Sequence, residues 1–315
     1  MAQRGRHASV KSHRRMQVLS FFVVTLVVLG LVSVTAAVTV LSTSRSTLAV
    51  VPKHHVNRPH KIPTDPRVAV AVSAALASRP GVTEVAVRDL VTGRSWLFGP
   101  SGPQMTASMV KVDIAATLLT MGPAHSPATK GTVAQLDPLT LLKPMIENSD
   151  NAATDVLWNV IGGPDGLAAF NNRIGLVSTG TNHCTYCMGS PFPGWGITPS
   201  TPTDQLTLLA NLVLPSKVVS AANQATILQL MEHVVPDQRW GASGGVPTGV
   251  TVALKNGWVP LGSFRWQVNS LGWVHGAGRN YLVAMMSAQN SNKEVGVATL
   301  NAIGTALWGA LGPKP

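Results

Sequence analysis

The chain of 315 residues is long enough for one large domain or two ordinary ones, and 24 Lys or Arg against 13 Asp or Glu give it a formal charge of +11. Nine of those basic residues and none of the acidic ones fall within residues 1–62, so the rest of the chain is close to neutral. A folded domain so balanced offers no basic face to a phosphate backbone, which argues against nucleic acid as a partner.

Residues 1–16 form a basic segment containing Arg4, Arg6, Lys11, Arg14 and Arg15. No charge follows from Gln17 to Ser44, and "VLSFFVVTLVVLGLVSVTAAVTVL" supplies 24 mostly apolar residues. As a helix this stretch would be roughly 36 Å long, enough to cross a bilayer. We expect a transmembrane anchor over residues 17–41. The positive-inside rule then leaves residues 1–16 in the cytoplasm and everything after the anchor outside the cytoplasmic membrane. A cleaved signal peptide is the competing reading, since "SVTAA" offers small residues to a peptidase, but the apolar run exceeds an ordinary signal core. Residues 42–66, with four prolines and three histidines between Arg45 and Pro66, read as an extracytoplasmic linker.

One domain is expected over residues 67–315. "RVAVAVSAALASR" has a helical pattern, and "TEVAVRD", "VTGR" and "SWLFG" read as strand, turn and strand. From Ser108 to about Leu214 the signals are mostly helical, and "SAANQATILQLMEHV" adds another helix. Three strand patterns follow, "GVTVALKNG", "RWQVNSLGWV" and "NYLVAMMSAQ", before a closing helix, "VGVATLNAIGTALWGAL". Strands at both ends with helices between them predict one sheet built from both ends of the domain and packed on a helical middle, an α/β or α+β fold.

Cys184 and Cys187 stand in "NHCTYC" beside His183. In an oxidising exterior a disulfide is the plain reading. A redox dithiol lacks its strand-to-helix setting, and a structural zinc site would need a fourth ligand.

Three short motifs carry the chemistry. In "MTASMVKVDIAATLL", Ser108 and Lys111 lie three apart, so on a helix they share a face. A serine hydroxyl is a poor nucleophile until a base takes its proton, and a lysine can do so once burial lowers its pKa. "ENSDNAATD" then places Ser149, Asp150 and Asn151 at a break between helical runs, where a helix N-cap is the simpler explanation. "VALKNGWVPLGSFRW" places Lys255, Asn256 and Gly257 on an apolar strand, where a lysine needs a partner or a function.

The succession S-x-x-K, S-D-N and K-N-G resembles the class A β-lactamases and penicillin-binding proteins over nearly the whole exported domain. The resemblance implies a β-lactamase/transpeptidase-like α+β sandwich with an antiparallel sheet. It also implies an active-site serine hydrolase acting on β-lactams or on D-Ala-D-Ala-like peptidoglycan stem peptides. It makes Ser108 the acylated nucleophile, Lys111 its base, Ser149 a proton relay and Lys255 a positive charge beside it. Asn151, Asn256, Gly257, Trp258 and Arg265 become substrate contacts. Main-chain N–H groups of Ser108 and Trp258 would form the oxyanion hole, and Arg265 would pair with a substrate carboxylate. A monomer without cofactor or metal is expected.

The sequence departs from that family in two places. Asn256 replaces the usual Thr or Ser. More consequentially, residues 166–203 contain no Asp or Glu, where the β-lactamases keep the glutamate that activates the deacylating water. Glu147 precedes S-D-N and His183 is the only titratable alternative in the loop. Slow deacylation is therefore expected. A working β-lactamase with another base, and a non-turnover sensing module, are the alternatives.

Overall fold

The computed structural model describes residues 66–77, 79–100, 102–122, 137, 139–180, 194–262 and 265–312. The anchor, the linker and the Cys184–Cys187 pair with His183 lie outside the described residues. Among the described residues no helix is long and apolar enough to cross a membrane.

The domain opens with α1 (Pro66–Leu76) and the hairpin β1 (Val82–Asp89) and β2 (Ser95–Phe98). Asp89 makes the hairpin turn: its carboxylate accepts from Val91 N and from Thr92 Oγ1, an Asx arrangement that reverses the chain locally. A short strand β3 (Gln104–Met105) leads into the helical middle: α2 (Val110–Met121), α3 (Leu139–Glu147), α4 (Asn151–Val160) and α5 (Gly163–Ile174). The two-residue β4 (Pro199–Ser200) pairs with β3, and α6 (Pro202–Val213) and α7 (Ala221–Glu232) complete that middle. Then come β5 (Thr251–Pro260), β6 (Trp266–Gly276), β7 (Arg279–Asn290) and α8 (Lys293–Ala310).

The main sheet has the order β2-β1-β7-β6-β5, every neighbouring pair antiparallel. Its two halves come from opposite ends of the domain and meet where β1 pairs with β7, as expected. β6 and β7 are buried along most of their length, which requires both faces of the sheet to be covered. α8 packs on β6 and β7 together with α1, while α6 packs on β1, β6 and β7 and α7 on β5.

β5 is an edge strand, so on one side its peptide groups have no sheet partner. That open side faces the chain around Ser108: a Cβ built on Gly257 would lie 2.7 Å from Ser108 N and from Thr106 O. Only glycine lets the two backbones come this close.

Behind the edge runs α2, buried all round from Val110 to Leu118, the pattern of a helix enclosed by the domain's interior. It nevertheless carries Lys111 and Asp113, both fully buried. Burial pushes the Asp113 carboxyl from 3.8 up to about 8; nearby Asn171 opposes this and Asp204 reinforces it. A folded-state pKa above the unfolded one means the native protein holds a proton that the unfolded chain releases. The associated stability is complete below about pH 4 and is lost as pH rises towards 8. Asp113→Asn should therefore flatten the pH dependence of Tm and raise Tm relative to the parent at pH 7–8. Parallel Tm–pH curves for the two proteins would overturn this.

Candidate active site

Ser108 sits in a single 3-10 turn, Ala107–Met109, that feeds directly into α2. Ala107 takes a positive φ of 48°, so the chain turns sharply just before the serine. Among non-glycine residues such angles cost of order 1 kcal/mol or more and persist where the surroundings impose them. Here Thr106 supplies the restraint, its N and Oγ1 both donating to Thr198 O at 2.9 Å.

The S-D-N motif divides its labour. Asp150 is the N-cap of α4, its side chain accepting from Ala153 N at 2.7 Å. The capping explanation therefore holds for the middle residue alone. Ser149, at φ 60°, is turned so that both its carbonyl and its hydroxyl meet the lysine from α2. Lys111 Nζ contacts Ser149 O at 2.6 Å, Ser149 Oγ at 3.1 Å and Asn151 Oδ1 at 2.8 Å. Among the described residues Ser108 Oγ is not one of its hydrogen-bond partners, contrary to the direct Ser108–Lys111 contact that the S-x-x-K spacing predicts. Three acceptors from one helix break satisfy the ammonium group, and spacing along α2 alone could not reveal that competition.

Lys111 is also covered by Trp195, from the 3-10 turn Gly194–Ile197, whose ring centroid lies 4.8 Å from Nζ. The indole Nε1 donates to Asp155 Oδ1 at 2.7 Å. Burial lowers the Lys111 pKa from 10.5 to about 7, against the pull of Asp150 and Asp155 in the other direction. Near neutrality the amine is thus part neutral, with a lone pair able to accept from Ser149 Oγ–H.

Lys255 is fully buried on β5, and Nζ donates to Asn256 O at 3.1 Å. Burial first, and then the charge of Lys111, hold its pKa well below the usual lysine value. The second cause places the two amines within electrostatic reach of each other, so each disfavours charge on the other.

Asn256 uses its amide hydrogens inside the protein. Its Nδ2 donates to Gln238 O at 2.7 Å and Trp240 O at 3.0 Å, and the residue is fully buried. These bonds tie the segment before β5 onto the strand and occupy the donors expected for a substrate contact. A threonine's short side chain could not reach these carbonyls in the same way.

These elements enclose a cavity of about 400 Å³ lined by Ser108, Ser149, Asn151 and Trp195 on one side and by Trp258 and Trp266 on the other. Arg265 is exposed just before β6 and is not among the lining residues. Sequence reasoning passed over Asp155 and Trp195. Asp155 was detectable, because it lies four residues after Asn151 and so on the same face of α4. Trp195 was not, since only the folded chain brings it over Lys111.

The sequence model described as the beta-lactamase enzyme family matches residues 125–311. The chain belongs to that family. It is accordingly a serine hydrolase acting on amide bonds. The match begins beyond Ser108 and Lys111, so the placement of those two residues rests on the geometry above. The fold is that of a β-lactamase from Chitinophaga pinensis DSM 2588 (19% identity, TM-score 0.67, 77% of this chain and 98% of that one). It is also that of the TLA-1 extended-spectrum β-lactamase (17%, 0.67, 78% and 98%) and of PBP-A (22%, 0.62, 77% and 95%). No curated protein matches the sequence.

Proposed function

We propose that the protein is a membrane-anchored extracytoplasmic enzyme that forms an acyl-enzyme on Ser108 with β-lactams or D-Ala-D-Ala-like peptides and releases it slowly. The observation that carries this reading is the convergence of Lys111 with Ser149 and Asn151 beneath a cavity that Ser108 lines.

In the reaction Ser108 Oγ attacks the acyl carbon, the Oγ–C bond forms and the C–N bond breaks. Lys111, part neutral near pH 7, is the base: it takes the proton leaving Oγ by way of the Ser149 hydroxyl that it contacts, and returns a proton through Ser149 to the departing nitrogen. Lys255, buried alongside, contributes electrostatic stabilisation when it is the protonated member of the pair. Negative charge developing on the carbonyl oxygen falls between Ser108 N and the main-chain N–H of Trp258 on the open edge of β5. Fixed donors of this kind lower a barrier by roughly 3–4 kcal/mol. A disulfide between Cys184 and Cys187 suits the same compartment.

One experiment tests chemistry and location together. A fluorescent penicillin that does not cross membranes, applied to intact cells, should label the protein in the membrane fraction, and Ser108→Ala should abolish the label. Label confined to the soluble fraction would sink the anchor, and absence of label on the parent protein would sink the acyl-enzyme. The notion of a sensing module that never turns over gains only if label persists without measurable loss.

A further inference from the structure

An amine nitrogen bonded to one carbon has three sites left, and at Lys111 described residues take all three. Ser149 O at 2.6 Å and Asn151 Oδ1 at 2.8 Å are acceptors only, so each must receive a hydrogen from Nζ. The third site meets Ser149 Oγ at 3.1 Å, a hydroxyl that can donate as well as accept. A neutral amine, with two hydrogens and one lone pair, fills this set completely.

Against solvent, Nζ is covered by Trp195, whose buried ring lies 4.8 Å away. The indole is fixed at both ends. Its Nε1 donates to Asp155 Oδ1 on α4 at 2.7 Å. Its main-chain carbonyl accepts from Thr198 N at 3.3 Å, and Thr198 O in turn holds Thr106, two residues before Ser108. Asp155 is exposed, and its charge still reaches Lys111. Ring and anchor therefore act on the amine in opposite senses. The carboxylate favours the ammonium form, whereas the ring keeps water from it and so disfavours it. A ring face also attracts a cation, but by much less than full desolvation of a lysine costs.

On the acyl-enzyme reading, in which Lys111 is the base, we propose that Trp195 and Asp155 are positioning residues for that base. The indole, tethered by Asp155, shuts water from Nζ and holds it against Ser149 as a neutral amine. Neither residue exchanges a proton with the substrate. The Ser108 Oγ proton still passes by way of Ser149 to Lys111, and a proton returns through Ser149 to the leaving nitrogen. The lysine pKa of about 7, lowered by burial, agrees. Asp150 on α4 and Lys255 on β5 also bear on the amine. Asp113 on α2, Lys143 and Glu147 on α3, Asp165 and Arg173 on α5 and Glu232 on α7 are common to parent and variants, so they cancel in a comparison.

The test is the pH profile of Ser108 acylation by benzylpenicillin, followed by intact mass on the full chain between about pH 5.5 and 9. The parent should lose rate on the acid side with a midpoint of about 7. Trp195→Ala admits water and should raise that midpoint by at least ~1 unit, a loss of ~10-fold in rate on the acid side. Trp195→Phe keeps a ring over Nζ and should stay within ~0.5 unit of the parent. Asp155→Asn keeps an acceptor for the indole but removes the charge, and should lower the midpoint by ~0.5 unit. A merely displaced wall would depress the whole profile without moving its midpoint. A midpoint within ~0.3 unit of the parent in Trp195→Ala, or one raised as far by Phe as by Ala, would overturn the inference and leave the acyl-enzyme intact. If Trp195→Ala does not fold, Asp155→Asn decides, since Asp155 is exposed: a midpoint that stays or rises overturns the inference. Absence of acylation in the parent would remove the acyl-enzyme reading itself, and this inference with it.

Discussion

Gly257→Ala is expected to slow acylation of Ser108 by at least ~100-fold while leaving the domain folded. The added methyl would stand 2.7 Å from Ser108 N, 2.7 Å from Thr106 O and 2.8 Å from Met109 N. All three are main-chain atoms, so no side chain can swing aside; either β5 withdraws or the turn at Ala107–Met109 shifts. Both movements spread the two N–H groups proposed to meet the carbonyl oxygen. Loss of one such donor costs ~10²–10³ in rate, and a shift of about 1 Å in a reacting group can cost ~10². The labelling rate with a fluorescent penicillin measures this, and an unchanged circular dichroism spectrum checks the fold. A rate within about 3-fold of the parent would mean that the edge of β5 is not part of the oxyanion site.

The same glycine shows what could and could not be read in advance. The strands of the sheet were legible because β-branched and apolar runs such as "TVALKNG" and "YLVAMM" are bounded by turn residues, and the final strands lie within a few residues of their expected places. The assembly of the sheet from both ends followed from the order of those runs. Ser108, Ser149, Asn151 and Trp258 were legible as a set through the motifs, and they do line one cavity. What escaped was set by backbone angles and by long-range meetings. Ser149's φ of 60° swings its carbonyl onto Lys111, and nothing in "NSDN" announces that angle. Asn256 looks like a cavity residue from its place in K-N-G, yet its amide reaches back to residues 238 and 240. Asp113 was passed over as well, although an acid inside "VKVDIAATLL" stands out in the sequence, and the fold buries it completely.

The remaining question is how the acyl group leaves, and here the expected effect is also large. Residues 166–203 contain no acid, so a carboxylate base for the hydrolytic water must come from elsewhere. Among the described residues Lys111 feels the charge of two acids outside the loop: Asp150, whose side chain caps α4 by accepting from Ala153 N, and Asp155, further along α4. Its Oδ1, however, is occupied by the indole N–H of Trp195, and that indole covers Lys111. An acid committed to anchoring an aromatic ring over Lys111 is a positioning residue and a poor base. General-base assistance is typically worth ~10²–10⁴-fold. Acyl-enzyme should therefore accumulate with penicillins, with deacylation slower than acylation by about that factor, and intact mass should show the adduct persisting after excess drug is removed. Asp155→Asn keeps an acceptor for Trp195 and should leave deacylation within about 3-fold of the parent, as should His183→Ala. Rapid deacylation that collapses in Asp155→Asn would make Asp155 the base after all. Rapid deacylation lost only in His183→Ala would assign the step to the histidine, and the protein would then be a working β-lactamase with a substituted base.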